Sequence, residues 1–211
     1  RAVEELDAGS RLAAQFQRPL PAYRSWFLKE GDAARPSYRD CLQALRRYMP
    51  NLIPTYDALV ELAGGGDMVA RMLSLYRPTP YLTGCSQAVW TRDEPLLVRN
   101  YDYSPRLWDG LFWHTRWNGT RVMAMSDCFW GVLDGINEAG LSVSLAFGGR
   151  KVVGDGFGIP IVLRYVLEFC EDSRDAIRVL SAVPSHMAYN ITLLDAMGRH
   201  ATVYVSPDRR A

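Results

Sequence analysis

The order of helical and strand signals along this 211-residue chain predicts an α+β fold. Three observations carry that expectation. Apolar residues before position 84 recur at helical spacing, with Pro and Gly between the runs. From Cys85 to Phe147 the pattern changes to alternation broken by turn-forming residues. Two more helical stretches and a last hairpin follow, and strands do not alternate with helices as in βαβ units. The change of period falls at Thr83-Gly84-Cys85-Ser86, dividing the chain into a helical segment, 1–84, and a strand-rich core, 85–211.

In order, residues 3–17 have apolar positions at roughly helical spacing. Residues 38–49 follow Pro36-Ser37, with Ser37 as N-cap, and stop at Pro50. Residues 53–62 run into Gly64-Gly65-Gly66, which reads as a helix stop. No Lys or Ser/Thr follows at the spacing of a phosphate loop. Asp67 is placed to cap a helix reaching residue 75, and Pro78 and Pro80 then impose an extended approach to Cys85.

Residues 86–90 and 96–103 form a hairpin around Arg92-Asp93-Glu94-Pro95. Residues 108–117 are aromatic and β-prone, and Asn118-Gly119 is a two-residue hairpin signal leading to 120–126. Strands at 129–136 and 141–147 flank the turn Asn137-Glu138-Ala139-Gly140. The glycines between Gly154 and Gly158 lack dinucleotide-loop spacing and read as a loop. Pro160 opens a helix to about residue 170, and Ser173 caps another to about residue 182. Residues 189–195 and 200–205 form the last hairpin, around Met197-Gly198.

The chain is 48% hydrophobic and 22% charged, with a net charge of +1. Such a balance gives no electrostatic case for nucleic acid or an anionic membrane surface. No apolar run reaches the ~18 residues of a membrane span, since the best, 159–169, is broken by Arg164. No secretory signal opens the sequence. Four cysteines (Cys41, Cys85, Cys128, Cys170) form no CxxC pair, and three histidines (His114, His186, His200) show no ligand spacing. The reading expects no metal and no cofactor, and a reducing compartment, the cytoplasm.

Chemistry concentrates at Cys85. A cysteine nucleophile must be a thiolate, which needs a nearby base or positive charge. No histidine sits in an obvious partner motif. Cleavage of Gly84–Cys85 would solve this by freeing an α-amino group on the nucleophile itself, with an ordinary pKa of about 8, suited to general-base work. The thiol can make that cut by attacking the Gly84 carbonyl, and glycine tolerates the distortion required. Arg99 and Asp102 are the candidate helpers. They are three apart, so a regular strand turns them to opposite faces and a bulge is needed to bring both to one site.

Gly84-Cys85-Ser86, Arg99-Asn100-Tyr101-Asp102, the run Asp134-Gly135-Ile136-Asn137-Glu138-Ala139-Gly140-Leu141-Ser142-Val143, and Tyr189-Asn190-Ile191-Thr192-Leu193-Leu194-Asp195 form an ordered set. Together they resemble the self-cleaving acyltransferases typified by acyl-coenzyme A:6-aminopenicillanate acyltransferase. More distantly they resemble bile salt hydrolases and penicillin V acylases, all N-terminal-nucleophile (Ntn) hydrolases.

The resemblance implies a four-layer αββα sandwich of antiparallel sheets. It also implies that strands completing the second sheet fall outside residues 1–211. Cys85 would be the nucleophile of a self-cleaving zymogen, with Arg99 and Asp102 beside it. Asn190 and the backbone N–H of Phe147 would form the oxyanion hole. The substrate would be a small-molecule acyl amide or thioester, hydrolysed or passed to an amine. The two fragments would stay associated, and the protein could form a homo-oligomer. Two alternatives stand beside this reading: an uncleaved Cys–His thiol enzyme using His114 or His186, and a non-catalytic binding protein of the same fold.

Overall fold

The computed structural model describes residues 1–81, 84–104, 108–209 and 211; Thr83, part of the run ahead of Cys85, lies outside them. The strands in chain order are β1 (Ala2–Glu5), β2 (Gly84–Trp90), β3 (Leu96–Asp102), β4 (Leu111–Thr115) and β5 (Val122–Asp127). There follow β6 (Gly131–Asn137), β7 (Ser142–Phe147), β8 (Tyr189–Leu194) and β9 (His200–Val205). Seven form one sheet in the order β1-β4-β5-β6-β7-β8-β9, and β2 and β3 form a separate hairpin. All these pairs are antiparallel except β1–β4. The fold is α+β, as the element order predicts.

The sheet's two faces differ as strand alternation requires. Register aligns Asp134, Ser144 and Thr192 across β6, β7 and β8, so these polar residues share one face. Leu133, Val143, Leu145, Ile191 and Leu193 are at most 1% exposed. They meet the helices α6 (Ile159–Phe169) and α7 (Ser173–Ala182). Burying each such side chain contributes about 1.5–3 kcal/mol. Gly131 permits this packing, since a Cβ there would lie 2.3 Å from Pro160 Cβ. Asn137, the last residue of β6, ties the sheet to the end of α6 by donating to Leu167 O at 3.0 Å and Cys170 O at 2.7 Å. The β2–β3 hairpin covers the polar face over β7 and β8. These residues form three layers: helices, sheet, hairpin.

The remaining helices are α1 (Ser10–Gln17), α2 (Leu20–Phe27), α3 (Tyr38–Tyr48), α4 (Ile53–Leu62) and α5 (Asp67–Leu73). In α3, Ser37 and Asp40 form a reciprocal capping box. Gly64, Gly65 and Gly66 all take positive φ, the left-handed conformation that stops α4. These helices share one hydrophobic cluster with the sheet. Phe16 packs edge-on against Phe129 at 5.2 Å, and Trp130 Nε1 donates to Leu73 O at 2.9 Å.

Several local expectations are corrected. Residues 3–17 are not one helix: Ala2–Glu5 pairs in parallel with the free edge of β4, and α1 starts after Gly9, whose backbone is extended. The segment 1–84 is therefore not purely helical. Glu5 Oε1 instead accepts from Gly9 N and Leu12 N, both at 3.1 Å, satisfying orphan donors at the start of α1. α2 was not expected at all. Gly66, not Asp67, is the N-cap of α5. Asp172, not Ser173, caps α7 by accepting from Arg174 N and Asp175 N, while Ser173 Oγ donates to Asp195 at 2.7 Å. Asn118-Gly119 is not a two-residue turn; β4 and β5 are joined by residues 116–121, anchored where Thr55 Oγ1 donates to Asn118 Oδ1 at 2.7 Å.

Candidate active site

Cys85 is the second residue of β2 and sits opposite Tyr101 of β3. Strand alternation places Cys85, Gln87, Arg99 and Tyr101 on the inner face of the hairpin, where each is partly buried. The outer residues Ser86, Ala88, Asn100 and Asp102 are exposed. The hairpin thus aims its one cysteine at the polar face of the main sheet.

Arg99 is the centre of the arrangement. Its Nη2 donates to Cys85 Sγ at 3.0 Å, its Nη1 to Asp134 Oδ2 at 2.6 Å, and its Nε to Leu145 O at 2.8 Å. The guanidinium also lies over the Tyr101 ring, 4.5 Å from its centroid. Its side chain is 4% exposed. A charge held on three sides in a water-poor site stabilises an adjacent thiolate far more than a mobile surface arginine would. Burial pushes the Asp134 carboxyl above its usual range, and Arg99 pulls it back.

Asp102 does not join Arg99 on that face. β3 is regular through Asp102, without the bulge that would be needed to align them. Asp102 faces outward, accepting from Asn100 Nδ2 at 2.5 Å, and sits opposite Gly84. A Cβ on Gly84 would be 3.5 Å from Asp102 Cβ, so Asp102 flanks the Gly84–Cys85 peptide rather than the thiol.

Asn190 and Phe147 lie on the adjoining strands, β8 and β7, with Asn190 opposite Ala146 and Phe147 opposite Tyr189. Gln87 links them to the hairpin: its Nε2 donates to Asn190 O at 3.3 Å, and its Oε1 accepts from Ser144 Oγ at 2.5 Å. Asp134, Gln87 and Ser144 carried no expectation of their own. Asp134 opens a run that carries the resemblance but nothing in it points to Arg99, and Gln87 and Ser144 are marked only as polar residues within strands, too weak a signal to act on without the register.

The histidines lie elsewhere. His114 Nδ1 is 3.7 Å from Glu4 Oε2, and His186 Nδ1 contacts Gly154 O at 2.5 Å. Neither is hydrogen-bonded to Cys85 among the described residues. No cluster of three or more His, Cys, Asp or Glu side chains able to hold a metal occurs among them either. No helix there is long and apolar enough to cross a membrane.

Beside the hairpin, Tyr101 Oη donates to Asp127 Oδ2 at 3.1 Å. Asp127 and Asp109 both contact Tyr23 Oη at 2.8 Å. Burial raises both carboxyls; Asp109 is pushed up to about 7, first by desolvation and then by Asp127. Next to Asp127, Cys128 and Phe129 take positive φ (56° and 68°), a costly conformation for residues with side chains. The turn is held by Cys128 N donating to Tyr23 Oη at 2.8 Å and Phe129 N to Asp109 Oδ2 at 3.3 Å.

No curated protein sequence matches the chain. Among solved structures it is similar to the penicillin V acylase from Agrobacterium tumefaciens. That match has 20% identity and a TM-score of 0.32, and covers 62% of this chain and 42% of that one. The chain thus spans less than half the length of that relative. The family model described as acyl-coenzyme A:6-aminopenicillanic acid acyl-transferase matches residues 89–211, more than half of the chain. The match includes Arg99, Asp102, Asp134, Phe147 and Asn190 and begins after Cys85. On that match, the chain belongs to the acyl-coenzyme A:6-aminopenicillanic acid acyl-transferase family.

Proposed function

We propose that the protein is a self-cleaving Ntn amidohydrolase or acyltransferase that works through an acyl-enzyme on Cys85. The observation that carries this reading is the 3.0 Å contact of the fixed Arg99 guanidinium with Cys85 Sγ. A thiolate in that contact is the form that attacks a carbonyl.

In maturation, Cys85 Sγ attacks the Gly84 carbonyl carbon. The C–S bond forms, the C–N bond breaks, and the nitrogen leaves as the Cys85 amine. Water then hydrolyses the thioester, freeing the Gly84 carboxylate and the thiol. Asp102, flanking this peptide, would hold the new ammonium. The fragments 1–84 and 85–211 share one hydrophobic cluster, which favours their staying together.

In turnover, the thiolate attacks the acyl carbonyl of a small amide or thioester. Asn190 and the Phe147 N–H receive the oxyanion, and the α-ammonium gives its proton to the leaving amine or thiolate. Water or an acceptor amine then attacks the acyl-enzyme and restores the thiol. The family's name pairs an acyl thioester with an amine acceptor, and that pairing supports this substrate class. Four free thiols fit a reducing compartment such as the cytoplasm.

The test is mass spectrometry after mixing the protein with phenylacetyl thiophenyl ester. An adduct on Cys85 that disappears in Cys85→Ala, together with turnover, is expected. Undiminished turnover by Cys85→Ala would end the proposal.

A further inference from the structure

We propose that the cavity beside Tyr101 binds the acyl group of the substrate, and that it selects acyl groups ending in a primary ammonium. This rests on the reading of Cys85 as the acyl acceptor. The cavity has a volume of about 250 Å³, and Tyr23, Trp26, Tyr103 and Trp108 form much of its wall. Asp109 and Asp127 also line it. It is too small for a whole drug-sized ligand, whose pockets span ~300–1,000 Å³, and suits one arm of a substrate.

Its position ties it to the nucleophile. The Tyr101 ring stacks on Tyr103 at 5.7 Å and on Trp108 at 5.3 Å. The same residue faces Cys85 across the hairpin, lies under Arg99, and hydrogen-bonds Asp127. Tyr101 therefore links the hairpin that carries the thiol to the aromatic wall of the cavity.

Hydrogen-bond counting fixes the charge of the carboxyl pair. Tyr23 has one hydroxyl proton, yet its oxygen is 2.8 Å from a carboxyl oxygen of each aspartate. One contact must be donated by a carboxylic acid. Asp127 already accepts from Tyr101 Oη and from Cys128 N at 2.8 Å, which suits a carboxylate. Asp109 accepts one further bond, from Phe129 N at 3.3 Å, against two at Asp127, so the proton is assigned to Asp109 and one negative charge to the pair. No described residue forms a salt bridge with either aspartate. Aromatic faces around a carboxylate that no described residue bridges are the chemistry that recognises an ammonium ion. A neutral apolar arm would leave that charge buried and unpaired.

The experiment compares 4-(aminomethyl)phenylacetamide with its neutral isostere 4-ethylphenylacetamide by isothermal titration calorimetry. Cys85→Ala protein is used, so binding is read without turnover. The amine is expected to bind at least tenfold more tightly. Asp127→Asn should erase the preference, and Asp109→Asn, which mimics the neutral acid, should keep it. Ala22→Trp, on the exposed part of α2 that lines the cavity, should block both probes. Equal affinities in the unaltered pocket would mean that the protein supplies its own cation there, and would overturn the proposal whatever the variants' folding. Undiminished binding to Ala22→Trp would do the same. An inert Cys85 with the amine preference intact would instead remove the proposed acyl transfer and leave the ammonium site standing.

Discussion

Arg99 Nη2 donates to Cys85 Sγ at 3.0 Å, and no other described side chain offers that sulfur a positive charge in hydrogen-bond contact. The thiolate's stability therefore depends on this guanidinium. Arg99→Ala is expected to slow alkylation of Cys85 by iodoacetamide at neutral pH by about tenfold or more. Circular dichroism checks that the fold survives. An alkylation rate unchanged from the parent would remove Arg99 from the site.

Asp134 positions Arg99 through its 2.6 Å contact and does not touch the thiol among the contacts observed. Asp134→Asn should let the guanidinium swing and lower acyl-enzyme formation by up to about 100-fold, the scale of a 1 Å misplacement. Alkylation of Cys85 by iodoacetamide should slow as well, and Asp134→Glu should restore part of both rates. A purely structural aspartate would lower the yield of folded protein and leave the alkylation rate of the folded fraction in place.

Asn190→Ala removes the proposed oxyanion donor and is expected to cost ~100-fold to ~1,000-fold in acyl transfer. Iodoacetamide reactivity of Cys85 should not change, because alkylation develops no oxyanion. Parallel loss of both activities would assign Asn190 to the architecture of β8 instead.

Asp109 couples stability to pH. Its carboxyl is pushed up to about 7 in the fold, against an ordinary value of about 4. The folded state thus binds a proton more tightly than the unfolded chain. That contribution is full below about pH 4 and is lost as pH rises through about 7. Asp195, held down to about 2, exchanges its proton below this window. Urea midpoints at about pH 5 and about pH 8 should differ more in the parent than in Asp109→Asn, which cannot ionise. Equal differences would contradict the assignment.

Arg164 and Glu168 are fully buried, 3.2 Å apart on α6, with Arg164 also donating to Trp130 O at 2.9 Å and Thr115 Oγ1 at 3.0 Å. Glu168→Ala leaves that arginine unpaired in the core and should destabilise the fold by about 3–5 kcal/mol in urea titrations. A loss under about 1 kcal/mol would mean that other groups neutralise Arg164.

Local chemistry was legible in the sequence where neighbours decide it. Ser37 as the N-cap of α3, the three-glycine stop, the β2–β3 hairpin and the α+β order all follow from short-range pattern. So does the exposure of Asp102, since three residues along a regular strand reverse the face. Long-range pairing was not legible. β1 pairs with a strand more than 100 positions away, and four residues carry too little pattern to announce it. Asp134 becomes part of the site through the hairpin's seating on the sheet. The Tyr23, Asp109 and Asp127 group likewise joins α2 to the start of the β5–β6 turn. Nothing near any of these residues in sequence marks the encounter.

The most direct test of the central claim is the intact mass of the purified protein under denaturing, reducing conditions. Self-cleavage predicts two species, residues 1–84 and residues 85–211, the second beginning with Cys85, and a single uncleaved species in Cys85→Ala. A single uncleaved parent chain that still turns over an acyl thioester would contradict the account, because its Cys85 would have no free α-amino group to act as base.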